Sequence, residues 1–112
     1  MHELSVVLEI FDLVEEIMKE QNLKKVSSIT VEVGELSGIL HDYFKECWGV
    51  ARLGSVFEET ELDLIFLPAM AKCSCGCEYE MTKNSRICPN CKKTDYEIIG
   101  GREFMVKQIE AC

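Results

Sequence analysis

The sequence predicts an α+β fold in which two helices cover a small three-stranded sheet and a cysteine-bearing lobe is inserted between two of the strands. Three observations carry this. Apolar residues near the start recur at steps of three and four, three later segments alternate apolar with polar residues, and five of the seven cysteines lie between Cys73 and Cys91.

From Leu4 to about Gln21, the residues Leu4, Val7, Leu8, Phe11, Val14, Ile17 and Met18 fall on one side of a helix. Glu9, Asp12, Glu15, Glu16, Lys19 and Glu20 take the other side, as a solvated face does. Asn22 followed by Leu23 suits a left-handed cap with its hydrophobic contact. Lys25 to Gly34 sets Ile29, Val31 and Val33 opposite Thr30 and Glu32, the period of a half-buried strand. Gly34 to Gly38 is a loop. A second helix starts near His41 or Asp42, with Asp42 available as its cap, and runs to about Leu53 before Gly54. Phe44, Cys47, Trp48 and Ala51 form its inward stripe, where Cys47 reads as a buried, inert thiol. Glu61 to Leu67 is the next strand, with Leu62, Leu64 and Phe66 on one face and Pro68 ending regular pairing. Gly100-Gly101 turns the chain into a last strand from Glu103 to Glu110, with Phe104 and Val106 opposite Met105, Lys107 and Ile109.

Composition narrows the function classes. A chain of 112 residues with 47% hydrophobic and 29% charged residues is one domain with room for a subdomain. No apolar run approaches the roughly 18 residues of a membrane span. The start lacks the basic region of a signal peptide, so a cytoplasmic protein without membrane contact is expected. A net charge of −8 repels phosphate backbones and argues against nucleic acid. No Ser–His–Asp grouping or phosphate loop is visible and only two histidines exist, so an enzyme is not expected. Seven cysteines in a reducing compartment point to metal rather than disulfides.

The cysteine module reads Lys72-Cys73-Ser74-Cys75-Gly76-Cys77-Glu78, then Cys88-Pro89-Asn90-Cys91. Two turns that each offer a close thiolate pair can wrap a tetrahedral ion, and soft sulfur ligands select zinc, with iron second. Four sulfurs leave no open position, so the ion is structural and the lobe zinc-ribbon-like. The first pair is irregular, because three cysteines alternate where Cys-x-x-Cys is usual. Cys75, followed by glycine, is the firm member; its mate is Cys73, which follows the strand end directly, or Cys77. Cys112 reads as an exposed thiol.

Met1-His2-Glu3 places an amine, an imidazole and a carboxylate in three consecutive positions. The Met1 amine, the His2 backbone nitrogen and the His2 ring can fill three corners of a square around Ni(II) or Cu(II). The fourth corner falls to Glu3 or to a group across the fold. His41 is a candidate there, weighed against a surface or cap-neighbouring histidine.

Together these features resemble the HypA/HybF family of hydrogenase maturation nickel metallochaperones. The resemblance spans essentially the whole chain. It rests on Met1-His2-Glu3-Leu4-Ser5-Val6, on Val33-Gly34-Glu35-Leu36-Ser37-Gly38, on Gly54-Ser55, on the cysteine module and on the closing strand with Ile109-Glu110. It implies a nickel lobe (residues 1–68 with 100–112) whose key ligand is His2, with the Met1 amine, backbone amides and Glu3 beside it. It implies a zinc lobe (69–99) with four cysteine ligands, here Cys73, Cys75, Cys88 and Cys91, or Cys77 in place of Cys73. It further implies nickel delivery to the large subunit of nickel–iron hydrogenase with an accessory GTPase, and in some organisms service to urease and its accessory proteins. The Cys73-Ser74-Cys75 spacing departs from the family pattern. Two other readings fit the cysteines: a rubredoxin-like electron carrier, and a zinc-ribbon interaction module without a nickel function.

Overall fold

The computed structural model describes residues 3–112. In chain order it contains α1 (Glu3–Glu20), β1 (Val26–Gly34), α2 (His41–Ala51), β2 (Glu61–Leu67), β3 (Met70–Cys73), β4 (Glu78–Glu80), β5 (Tyr96–Gly100) and β6 (Phe104–Ala111). The strands form two sheets, ordered β2-β1-β6 and β4-β3-β5. Among the described residues no helix is long and apolar enough to cross a membrane.

In the first sheet β1 is central, parallel to β2 and antiparallel to β6, with α2 as the crossover between the parallel pair. Ile29, Val31 and Val33 of β1 are fully buried beneath the two helices, as their alternation predicts. The helices run side by side in the same direction. Phe11 of α1 meets Trp48 of α2 edge-on at 5.0 Å and stacks on Phe57 at 4.5 Å. This packing rotates the buried stripe of α1. Val7, Phe11 and Val14 are inward as expected, and Ile10 joins them, whereas Leu4 and Leu8 are 48% and 47% exposed. A helical period fits two adjoining stripes, and the sheet and α2 together decide which is covered. Asn22 takes the left-handed conformation (φ 54°) and Leu23 N–H reaches Met18 O at 2.8 Å, completing the expected cap.

Three details differ from expectation. The cap residue of α2 is Leu40 rather than Asp42, and it caps without a side-chain hydrogen bond; the Glu3 carboxylate instead binds the Leu40 N–H at 2.9 Å. In β6 the register shifts between Thr30 and Val31 of β1, leaving Lys107 without a rung. This bulge returns Ile109 to the side of Phe104 and Val106, so all three pack on the core. Phe66, expected inward with Leu62 and Leu64, is 51% exposed and meets α2 edge-on at His41 rather than entering the core.

The cysteine lobe has a sheet of its own, which the sequence reading did not anticipate. β3 pairs antiparallel with both β4 and β5. Its interior is small: Ala69, Ala71, Cys73, Tyr79, Met81 and Cys88. The junction of the two sheets is tightly hydrogen-bonded. Glu35 accepts the Ala69 N–H at 2.9 Å with one carboxylate oxygen and the Thr82 hydroxyl with the other. Those two donors, Ala69 N–H first, hold its carboxyl below the usual range. Leu36 N–H reaches Gly101 O at 2.6 Å, and a Cβ at Gly101 would lie 2.6 Å from the Ala69 Cα, so only glycine fits there.

Candidate metal centre

The end of β3, the turn into β4 and the loop before β5 bring four sulfurs together. Gly76 (φ 95°) lets the chain reverse after Cys75, and its N–H closes on Cys73 O at 2.8 Å. In the second turn Lys92 takes the same left-handed conformation (φ 65°) after Cys91, and its N–H closes on Cys88 O at 2.9 Å. The first turn therefore closes one residue sooner than the second. That is how the Cys73-Ser74-Cys75 spacing is accommodated.

The Sγ atoms of Cys73, Cys75, Cys88 and Cys91 all lie within 4.8 Å of one another. Cys73 and Cys91 are 3.3 Å apart, and Cys75 and Cys88 are 3.7 Å apart. Thiolates bound to zinc at about 2.3 Å would be spaced by about 3.8 Å along the tetrahedron edge, so the donor set fits such an ion. Cys91 N–H points at Cys88 Sγ at 3.5 Å and Asn90 Nδ2 at Cys75 Sγ at 3.7 Å. The Cys91 N–H is the main reason that the Cys88 thiol is brought down to about 6. For Cys91 the Lys93 backbone favours the thiolate most strongly of any single group. The Cys73 thiol, burial and the thiols of Cys88 and Cys75 outweigh it and push Cys91 up to about 12. Four clustered thiols thus resist shedding their protons together, and a soft cation must displace them.

The remaining cysteines stay outside this group. Cys77 is half-buried with its Sγ directed at Glu78 O at 3.8 Å, Cys47 is buried in the helical core and Cys112 is exposed. No pairing expectation in the sequence pointed to Cys47.

Met1 and His2, two of the expected nickel ligands, lie outside the described residues. Glu3, the third, begins α1 and is fully buried. The Leu40 N–H, followed by its own backbone N–H, holds its carboxyl down to about 2, so it stays ionised. The start of α1 is thereby pinned to the start of α2. His41 packs edge-on against Phe66 of β2 at 4.9 Å between ring centroids, and its Nε2 is buried with no hydrogen-bond partner among the described residues. The role of Leu40 had no signature in the sequence, because it contributes only a backbone N–H.

Comparison with known proteins decides the family. The profile described as hydrogenase/urease nickel incorporation, metallochaperone, hypA matches residues 1–111. The chain belongs to the HypA family. The hydrogenase maturation factor HypA of Francisella philomiragia is 36% identical to it over 110 residues, 97% of each chain. That of Aquifex aeolicus is 32% identical over 111 residues, 98% of this chain and 96% of that one. The solution structure of the nickel metallochaperone HypA from Helicobacter pylori superposes with a TM-score of 0.67 at 25% identity, covering 99% of this chain and 97% of that one. A second HypA solution structure gives a TM-score of 0.71 at 25% identity over 100% and 97% of the two chains. Both HypA structures share the overall α+β fold seen here over essentially the whole chain. The chain is accordingly a nickel metallochaperone of hydrogenase maturation.

Proposed function

We propose that this chain binds Ni(II) through the Met1 amine, the His2 ring and backbone nitrogen, with Glu3 completing the site, and hands the ion to the large subunit of nickel–iron hydrogenase. An accessory GTPase assists, urease accessory proteins are served where urease is present, and the exchange takes place in the cytoplasm. The protein carries cargo and turns over no substrate. In this division of labour residues 1–68 with 100–112 handle nickel. Residues 69–99 hold a structural Zn(II) on Cys73, Cys75, Cys88 and Cys91.

The observation that carries the nickel reading is the burial of Glu3. A charged carboxylate tied to Leu40 N–H keeps the first turn of α1 in place directly after Met1 and His2. It also counters a local conflict. The positive end of a helix disfavours a nearby cation by up to about 1 kcal/mol, and an ionised Glu3 cancels that field at the same end. A site built from a short terminal segment can hold a square-planar ion and be taken apart by moving a few residues, as delivery requires. Binding weakens as pH falls, because amine and imidazole must be deprotonated to ligate.

The test is nickel and zinc content of the unextended protein beside its His2→Ala form and a form extended ahead of Met1. His2→Ala is expected to abolish nickel binding and the extension to weaken it, with zinc and fold unchanged in both. A nickel titration identical in all three proteins would refute the site.

A further inference from the structure

The four-sulfur centre leaves Cys77 over, and the hairpin that carries it indicates a use. Along the β3–β4 ladder Met70 faces Glu80, Ala71 faces Tyr79 and Lys72 faces Glu78. The next rung is Cys73 and Cys77, joined by Cys73 N–H donating to Cys77 O at 2.9 Å. Residues opposite each other in an antiparallel pair project to the same face with Cβ atoms about 4.5–5.5 Å apart. Cys77 therefore stands beside Cys73 on the face that meets the second turn, where Cys73 Sγ lies 3.3 Å from Cys91 Sγ. Its Sγ lies 3.8 Å from Glu78 O, and the half-buried side chain packs against the small interior of the lobe. Cys75 at the tip and Cys88 and Cys91 in the other turn have no such cross-strand double.

We propose that Cys77 is a fifth, exchangeable ligand of the metal centre, taking the corner that its cross-strand neighbour Cys73 gives up. This rests on the reading that the four cysteines hold zinc. The exchange breaks the bond from the metal to Cys73 Sγ and forms one to Cys77 Sγ. Cys77 gives up its thiol proton, the departing Cys73 thiolate takes one, and no electrons are transferred. The hairpin can thus shift its grip while the ion keeps four thiolates.

The experiment uses the full chain loaded with zinc or with Co(II), whose visible absorption distinguishes four sulfur ligands from three. Wild type, Cys77→Ser and Cys73→Ser are each expected to give the four-thiolate spectrum. In zinc-loaded wild type Cys77 is alkylated by iodoacetamide, and in zinc-loaded Cys73→Ser it is protected. The Cys73→Ser/Cys77→Ser double variant is expected to show three-thiolate absorption and to bind more weakly than either single variant. Cys77→Ser alone, whose four partners are untouched, is expected to surrender zinc to a competing chelator several-fold faster than wild type. The inference is overturned if Cys73→Ser matches the double variant with Cys77 still alkylated, or if Cys77→Ser releases zinc at the wild-type rate. A wild-type chain that binds neither zinc nor Co(II) at the cysteines would overturn the zinc reading itself.

Discussion

The helix-covered sheet and the cysteine lobe are each three strands wide, yet their interiors differ in kind. Among the described residues, the first buries twelve hydrophobic ones, including Phe11, Phe44, Trp48 and Phe57, between the sheet and two helices. The second buries six, of which two are cysteines of the metal centre and two are alanines. An apolar interior that small offsets little chain entropy, so on the proposed reading the lobe depends on the bonds that four sulfurs make to zinc. The difference also suits the proposed division of labour. A self-supporting core can hold a mobile cargo at its edge, whereas the proposed zinc could not leave the lobe without loss of structure.

The most direct way to break this contrast is to remove the metal. Chelation is expected to remove roughly 10 kcal/mol or more of stabilisation from the cysteine lobe. Amide hydrogen exchange would then show β3, β4 and β5 losing protection while β1 keeps it. Loss of protection in both sheets together would mean that the first does not stand alone. The converse change is Phe57→Ala, which empties the stack on Phe11 at the centre of the first core. A cost of about 3–5 kcal/mol in urea unfolding is expected, with zinc content unchanged.

Two smaller effects sharpen the comparison at its boundaries. Glu35→Ala removes the acceptor shared by Ala69 N–H and Thr82 and should cost roughly 1–3 kcal/mol. The exchange rates of the Ala69 and Leu36 amides at the junction should rise before those of either sheet centre. Glu3 supplies a pH dependence. Its folded-state value of about 2 lies below the ordinary 4.5, so its stabilisation is complete above 4.5 and lost as pH falls toward 2. Acid unfolding of wild type and Glu3→Gln should therefore differ at neutral pH and converge near pH 2.

Much of the first sheet was legible because periodicity over many residues reports a face. Ile29, Val31 and Val33, the Asn22 cap and the buried Cys47 all followed from local pattern. The strands of the cysteine lobe were missed because three to five residues are too few for a period to stand out, and Cys73 also serves the turn beside it. The four converging sulfurs were legible as a set, since the spacing of thiolates and glycine is itself a constraint on the turn.

From residues alone came the helices, the three long strands, the family and the existence of a sulfur centre, because each is encoded by neighbours in the chain. The parallel pairing of β1 with β2, the bulge that brings Ile109 inward and the tie between Glu3 and Leu40 belong to the tertiary structure. Each joins segments distant in sequence through at least one backbone group that every residue possesses. Only the folded arrangement determines which of those identical groups meet.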